Sequence, residues 1–157
     1  MPIKHKSLIF FVGISEGIGL IGSYFTAPAI PTWYIYLNKP SFTPPNWIFG
    51  LVWSLLYFLM GIAAFKVWQV GWDREEVKRA LYYFGVQLLL NLLWSILFFG
   101  IQEPLIAYIE IIILIVFIGF TQYKFFKLSK IAGILLLPYI AWVIFASFLN
   151  LAIVLLN

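Results

Sequence analysis

The side chains able to do chemistry in this sequence are indoles, amides and isolated carboxyls standing inside long apolar runs. Trp53 and Tyr57 lie one helical turn apart in one run, and Asn91 and Trp94 do so in another. Indole rings stack on flat apolar molecules, and amides add a few polar contacts that fix orientation. These residue types therefore indicate a binding site for an aromatic or polycyclic ligand.

The side chains that usually perform catalysis or hold metals are missing from the sequence. There is no cysteine, and the single histidine, His5, lies in the basic segment MPIKHK, where we expect an ordinary solvated residue. No carboxylate pair, serine triad, glycine-rich phosphate loop or metal-ligand cluster is present. We expect no metal and no required cofactor.

The composition predicts an integral membrane protein. Of 157 residues, 64% are hydrophobic and 10% are charged, whereas soluble domains are about half apolar. Spanning a bilayer takes about 20 helical residues. Five segments are long enough, so we predict an all-α bundle of five transmembrane helices forming one domain over residues 1–157. The predicted spans are Leu8–Ala27, Asn46–Gln69, Ala80–Ile101, Leu105–Phe126 and Ile131–Leu156.

Lysine and arginine are unevenly divided between the two sides of this bundle. Nine of the ten fall on the side of the N-terminus, and Lys39 alone falls on the other. The positive-inside rule then predicts an N-terminus inside and a C-terminus outside. The net charge of +4 needs no nucleic-acid partner, because these cations stand where membrane proteins carry them. The nine are Lys4, Lys6, Lys66, Arg74, Lys78, Arg79, Lys124, Lys127 and Lys130.

The stretch from Pro31 to Tyr57 reads as a proline-rich loop that becomes the second membrane helix. Prolines fix φ and withhold backbone donors, so we expect no regular helix through Pro31 and a lid over the bundle instead. Asn46 follows the Pro-Pro pair and is predicted to be the N-cap of the second helix. The candidate lid residues are Trp33, Tyr36, Lys39, Pro44 and Pro45.

Isolated polar and small residues mark the first and fourth helices. Gly13 and Gly17 form a small-xxx-small pair, which we expect to pack within the bundle in preference to forming a dimer face. Glu16 lies between them and is either a functional residue or a protonated or hydrogen-bonded packing residue. For Glu110 we expect a structural hydrogen bond rather than a role in proton transfer.

Polar residues also share one face on each of the third and fifth helices. The third-helix face provides either hydrogen bonds between helices or a polar patch that meets a ligand. Pro138 is expected to kink the fifth helix. The third-helix set is Gln87, Asn91, Trp94, Ser95 and Phe98, and the fifth-helix set is Tyr139, Trp142, Ala146 and Asn150.

Helix geometry predicts that these faces meet in one cavity. Trp53, Trp94 and Asn150 fall about 10 Å below the outer surface at 1.5 Å per residue, and Asn91 and Trp142 lie somewhat deeper. Trp53, Trp94 and Trp142 are too deep to belong to an aromatic belt at the membrane interface, whereas such a belt accounts for the other four tryptophans. We therefore predict an aromatic, sparsely polar cavity in the outer half of the bundle, roofed by the lid.

Three blocks resemble the signature regions of the translocator protein family (TspO/MBR), also called tryptophan-rich sensory proteins and formerly the peripheral benzodiazepine receptor. They are WYIYLNKPSFTPPNWIFGLVWSLLY, QLLLNLLWSILFF and LLLPYIAWVIFASFLN, and the similarity runs over essentially the whole chain. The resemblance implies a five-helix membrane bundle, usually dimeric, that binds tetrapyrroles such as protoporphyrin IX and synthetic isoquinoline carboxamides or benzodiazepines. By position, the family's pocket residues fall on Tyr34, Trp53, Asn91, Trp94, Trp142 and Ala146.

The sequence departs from the animal members of that family near its end. Those proteins carry a Tyr and Arg motif proposed for cholesterol, whereas this chain reads LNLAIVLLN. We therefore do not expect cholesterol binding, and we expect a prokaryotic plasma-membrane protein.

Three functions remain open from the sequence. The first is a receptor, sensor or carrier that binds a porphyrin. The second, implied by the family resemblance, is a light-dependent enzyme that degrades porphyrin by radical chemistry at pocket indoles, for which Trp53 and Trp142 are the only catalytic candidates. The third is a regulatory protein whose cavity holds membrane lipid.

Overall fold

The computed structural model describes residues 2–157, with side chains from Lys4 onward, and all of its regular structure is helical. Five segments are long and apolar enough to cross a membrane, which confirms the predicted fold class. Two interruptions divide the chain further: a 3-10 turn follows the first helix, and a π-helical turn extends the third. The helices are α1 (Pro2–Thr32), α2 (Asn46–Trp68), α3 (Glu75–Ser95), α4 (Pro104–Leu128), α5 (Lys130–Leu135) and α6 (Leu137–Leu156), with the 3-10 turn at Tyr34–Tyr36 and the π-turn at Ile96–Gly100.

The bundle has its main core among α2, α3, α4 and α6. Met60, Val67, Val77, Ile118 and Val143 are fully buried there. α1 packs mainly against α2 and α3 and is the least buried of the five spans.

One end of the bundle carries the loop of residues 33–45, the turn at 101–103 and residue 157, and we call it the loop end. The opposite end, with the turn at 69–74, is the basic end.

The first helix continues further than the sequence predicted. The expectation that no regular helix runs through Pro31 is wrong, because α1 includes Pro28 and Pro31 and ends at Thr32. Both prolines lie near the end of the helix. The Trp33 amide still donates to the Ala29 carbonyl at 2.9 Å, and the Thr32 hydroxyl donates to the Pro28 carbonyl at 2.7 Å. The helical bonding therefore continues past both prolines, and proline is tolerated in membrane helices.

The second helix starts as predicted, but its cap differs. Pro45 occupies the N-cap position with φ −55° and ψ 145°, and Asn46 is the first helical residue. The prediction that Asn46 is the N-cap is therefore wrong. Pro45 is already extended, and its carbonyl accepts from the Ile48 amide at 3.0 Å. The preceding turn is closed by Thr43, whose amide and hydroxyl both donate to the Pro40 carbonyl.

The remaining boundaries differ mainly at charged ends. α3 begins at Glu75 instead of Ala80, and α4 ends at Leu128 instead of Phe126. Hydropathy marks where the apolar run ends, whereas the helix continues into its charged flank. The fifth span is interrupted at Leu136, just before Pro138, where the sequence predicted a kink.

The glycines of α1 do not all pack as expected. A Cβ added at Gly13 or Gly17 would meet nothing within 4 Å, so the prediction that this pair packs inside the bundle is wrong. Close helix contact occurs at other glycines. A Cβ at Gly19 would lie 2.6 Å from the Tyr57 ring, and one at Gly61 would lie 2.5 Å from the backbone of Val12. The glycine pattern predicted that helices approach closely, but the wrong pair was chosen.

A chain of buried hydrogen bonds joins α2, α3 and α6. The Tyr57 hydroxyl donates to Asn91 Oδ1 at 2.6 Å, Asn91 Nδ2 donates to the Tyr139 hydroxyl at 2.8 Å, and Tyr139 donates to Gln87 Oε1 at 2.6 Å. All four residues are buried. Gln87 and Asn91 therefore provide the hydrogen bonds between helices that the sequence offered as one alternative.

The Glu110 carboxyl does not make the contact that the sequence predicted. Both of its carboxyl oxygens are buried with no hydrogen-bond partner among the described residues, so the expected structural hydrogen bond is absent from this part of the chain. The buried phenol hydroxyls and the Asn91 amide group donate to one another and to Gln87 instead. Glu110 also lies outside the cavity described next.

Candidate functional site

A cavity of about 320 Å³ opens at the loop end, between α1, α2, the α3–π-turn segment and α6. Its size is at the lower end of the range for ligand pockets, roughly 300 to 1,000 Å³. Most lining residues are aromatic, aliphatic or small. They are Glu16, Gly19, Leu20, Gly22, Ser23, Thr26, Ala27, Ile30, Tyr34, Asn46, Trp47, Phe49, Gly50, Trp53, Ser54, Tyr57, Trp94, Ser95, Phe98, Phe99, Trp142, Ala146, Leu149, Asn150 and Ile153.

Indoles contributed by three different helices form the walls. On α2, the Trp53 ring lies 5.7 Å from the Tyr57 ring, centroid to centroid. On α3, Trp94 stacks on Phe98 at 5.2 Å. On α6, Trp142 meets Phe49 of α2 edge to face at 5.9 Å. Such walls suit a flat apolar ligand, because aromatic faces and edges both make favourable ring contacts.

The π-turn after α3 brings two consecutive phenylalanines into the wall of the cavity beside Tyr34. The Phe98 and Phe99 rings lie 4.8 Å apart, and both line the cavity. Each also contacts Tyr34, at 6.4 Å and 5.8 Å. A π-turn inserts an extra residue into the helical register, which allows neighbouring side chains to face the same region.

Tyr34 forms part of the roof and is held in place by Lys39. Tyr34 is 5% exposed and lines the cavity, and its burial raises the pKa of its phenol above the usual value. Lys39 Nζ lies 4.8 Å from the centre of the Tyr34 ring and donates to the carbonyls of Tyr34 and Leu37 at 2.8 and 3.0 Å. Lys39 therefore stabilises the 3-10 turn and does not line the cavity.

Asn150 orients one indole and anchors α4. Its Oδ1 accepts from Trp94 Nε1 at 3.0 Å, and its Nδ2 donates to the Pro104 carbonyl at 2.8 Å. Trp142 differs, because its Nε1 is buried and has no hydrogen-bond partner among the described residues. Because this nitrogen is buried, Trp142 meets the cavity with the rest of its ring.

The cavity is open on one side, between the loop-end halves of α1 and α2. The lining residues along this opening are exposed and, apart from Leu20 and Trp47, small or polar, whereas Tyr57, Phe98, Ala146 and Asn150 on the other walls are buried. A ligand larger than the cavity could project through the opening. The exposed lining residues are Leu20, Ser23, Ala27, Asn46, Trp47, Gly50 and Ser54.

Six of the seven residues predicted to bind a ligand line this cavity, and the seventh, Asn91, does not. Asn91 is 1% exposed and lies behind the wall, bonded to the hydroxyl of the lining residue Tyr57. Both catalytic candidates, Trp53 and Trp142, are among the six. The six are Tyr34, Trp53, Trp94, Trp142, Ala146 and Asn150.

None of the five candidate lid residues lines the cavity. Trp33 packs edge to face on Phe98 at 5.5 Å, Tyr36 is 81% exposed, and Lys39 binds the 3-10 turn. Pro44 and Pro45 lead into α2.

The loop is held to α6 at two further points. Phe42 contacts Phe145 at 6.2 Å between ring centres. Asn38 and Asn157 exchange hydrogen bonds: the Asn38 amide donates to Asn157 Oδ1, and Asn157 Nδ2 donates to the Asn38 carbonyl, each at 2.9 Å. The loop therefore closes over the bundle through contacts with α6.

The α1 wall was not predicted as part of the site. Apart from Glu16, it consists of small and aliphatic side chains, including Gly19, Gly22, Ser23 and Thr26. Their spacing of three and four residues places them on one face of the helix. This spacing was the available signal, but it equally fits close packing of helices, which Gly19 and Gly22 also provide.

A five-helix integral membrane protein with an aromatic, ligand-sized cavity at one end is the class that this fold and site define. Residues 11–156 match the model of the TspO/MBR family, and the chain belongs to that family. It is 51% identical over 141 residues to the tryptophan-rich protein TspO of Archaeoglobus fulgidus, covering 89% of this chain and 90% of that protein.

More distant relatives cover most of the chain as well. The tryptophan-rich protein TspO of Chlorobaculum tepidum is 43% identical over 151 residues, covering 96% of each chain. The human translocator protein is 34% identical over 131 residues, covering 83% of this chain and 78% of the human one. The family resemblance inferred from the three signature blocks is thereby confirmed.

Proposed function

We propose that this membrane protein is a sensor or carrier that binds tetrapyrroles such as protoporphyrin IX, and also isoquinoline carboxamide or benzodiazepine-type ligands, in the loop-end cavity. The observation that carries the proposal is the convergence of Trp53, Trp94 and Trp142 on one cavity. Burial of flat apolar surface against these rings would supply most of the affinity.

The shape of the cavity suggests how each ligand class would sit. A volume of about 320 Å³ suits a compact synthetic ligand, whereas a tetrapyrrole macrocycle is larger and would extend through the opening between α1 and α2. Its propionates would then lie toward the loop end, where water is accessible. The distribution of Lys and Arg favours this end as the outside of a prokaryotic plasma membrane, with the N-terminus inside and the C-terminus outside.

Protoporphyrin IX titration in the dark tests the proposal. Tryptophan fluorescence of the purified protein should be quenched saturably, and the affinity should fall about tenfold in Trp53→Phe and in Trp142→Phe, the scale of one ring contact. Trp72→Phe is the matched control, because Trp72 lies at the basic end and is 54% exposed. Linear quenching that is identical in all four proteins would mean partition into detergent and would contradict the proposal.

A light-dependent porphyrin-degrading enzyme is the second candidate, favoured by the presence of both candidate indoles, Trp53 and Trp142, in the same cavity. Loss of the porphyrin absorbance under illumination should then vanish when both indoles are replaced, while binding by the remaining walls is only weakened. Turnover that persists in the double variant would exclude this role for the two indoles.

The remaining expectations concern partners. Membrane lipid is the third candidate occupant of the cavity. A purified protein that binds no tetrapyrrole above the lipid background would favour it.

We propose that the protein forms a homodimer, to be tested by measuring the mass of the protein assembly in nanodiscs. We expect no cholesterol binding, because the sequence LNLAIVLLN at the end of α6 lacks the proposed Tyr and Arg motif.

A further inference from the structure

Glu16 introduces a carboxyl into a cavity that is otherwise lined by aromatic, aliphatic, hydroxyl and amide groups. No lysine, arginine, histidine or aspartate is among the lining residues, and no other glutamate is. The α1 wall runs from Glu16 to Ile30, and Ile30 lies near the loop end. At 1.5 Å per residue the two ends of this wall are about 21 Å apart. Glu16 therefore lies at the deep end of the cavity, near the middle of its membrane span.

No described side chain binds the Glu16 carboxyl. Neighbouring hydroxyls donate elsewhere: Ser15 to the Phe11 carbonyl at 3.0 Å and Ser23 to the Gly19 carbonyl at 3.0 Å. The Tyr57 hydroxyl, on the facing helix, donates to Asn91. The salt bridges of the described chain lie on exposed side chains at the basic end and do not involve Glu16.

A carboxyl without a partner at this depth is costly, and ionisable groups within membrane spans usually face an interior and pair there. A ligand that brings an N–H donor or a cationic nitrogen to the deep end of the cavity would supply the missing partner through a charge-assisted hydrogen bond. The same carboxyl disfavours an anionic ligand group at that position. The aromatic walls add to this preference, because tryptophan and tyrosine faces attract cations.

We propose that Glu16 makes the cavity selective for flat aromatic ligands that carry a basic nitrogen, with that nitrogen placed against the Glu16 carboxyl. The inference rests on the proposed function in using the same cavity, and it adds a ligand class, aromatic amines. For a tetrapyrrole it sets the orientation, because the anionic propionates are kept away from the Glu16 carboxyl and lie toward the loop end.

Three acridines of one ring size test the selectivity: 9-aminoacridine, which is cationic in mildly alkaline buffer, acridine, which is neutral, and acridine-9-carboxylate, which is anionic. Binding is measured with the protein in phosphatidylcholine nanodiscs, and the signal from empty nanodiscs is subtracted. We expect affinity to fall in that order. In Glu16→Gln the affinity for 9-aminoacridine should fall about tenfold, the scale of one hydrogen bond to a charged group, while that for acridine changes less than about twofold.

Glu103→Gln is the matched control, because Glu103 is exposed in the turn at the loop end and does not line the cavity. Glu16→Asp keeps the charge and should retain part of the preference, which separates charge recognition from damage to α1. Equal affinity of the parent for 9-aminoacridine and acridine, or an equal loss in Glu103→Gln, would overturn the inference. A Glu16→Gln protein that changes its oligomeric state but keeps the preference would also overturn it.

Protoporphyrin IX, titrated in parallel, separates this inference from the proposed function. Saturable protoporphyrin binding without discrimination among the acridines would contradict the role of Glu16 alone. Discrimination that depends on Glu16, without protoporphyrin binding, would support the inference and contradict the tetrapyrrole proposal.

Discussion

Replacing Asn91 by leucine tests whether this amide acts on a ligand directly or through the wall of the cavity. The family resemblance implies a pocket residue, whereas the structure buries Asn91 behind Tyr57. Asn91 accepts from Tyr57 at 2.6 Å and donates to Tyr139 at 2.8 Å. Leucine is of similar size but can make neither bond.

The expected loss of stability follows from these two bonds. A side-chain hydrogen bond between membrane helices contributes about 0.6 kcal/mol on average and at most about 1.7. Removing two of them should therefore lower the free energy of unfolding by roughly 1 to 3 kcal/mol. Tyr57→Phe removes one of them, and the double variant should lose less than the sum of the single losses, because both changes delete the same bond.

Reversible unfolding in mixed micelles, titrated with a denaturing detergent, measures this loss. Leu89→Ala is the control, because Leu89 is 62% exposed on the same helix and should have little effect. Protoporphyrin affinity should change less than about threefold in Asn91→Leu at temperatures where the protein stays folded, since the lining side chains remain in place. Unchanged stability together with a tenfold loss of affinity would refute the assignment of Asn91 to the wall.

Two further predictions concern helix packing and the loop. Gly61→Ala should lower the free energy of unfolding by about 1 to 3 kcal/mol, because its Cβ would lie 2.5 Å from the Val12 backbone. Gly13→Ala is the control and should leave the free energy of unfolding unchanged, because its Cβ would meet nothing within 4 Å. Equal effects of the two substitutions in the same detergent titration would contradict the helix contact. Asn157→Ala should speed hydrogen exchange of the Asn38 amide about tenfold or more by removing its acceptor, as measured by mass spectrometry or NMR, and unchanged exchange would show that the pair does not hold the loop.

The sequence predicted the number and approximate position of the spans because the requirement for about 20 apolar residues is local and strong. Helix ends were less accurate. α3 extends into its charged flank to Glu75, and α1 continues through Pro31 to Thr32, where nearby backbone and hydroxyl donors satisfy the helix end. Hydropathy carries no information on either effect.

The cavity was predictable in part, because helical spacing and depth placed Trp53, Trp94 and Trp142 at a similar level on three helices. Whether a polar residue faces the cavity or a neighbouring helix depends on helix rotation, which the sequence alone does not specify. Asn91 and Trp94 are one turn apart on α3, yet Asn91 bonds to Tyr57 and Tyr139 while Trp94 lines the cavity.

The sequence by itself determined a five-span membrane bundle of the TspO/MBR family and the indoles of its site, since apolar length, helical period and family-specific motifs are all written along the chain. Only the tertiary structure decided which glycines bring helices together and that α1 forms one wall of the cavity. Only the tertiary structure, too, left the Glu16 carboxyl lining that cavity without a side-chain partner among the described residues. These features depend on how each helix is rotated and tilted against its neighbours, which long-range packing alone sets.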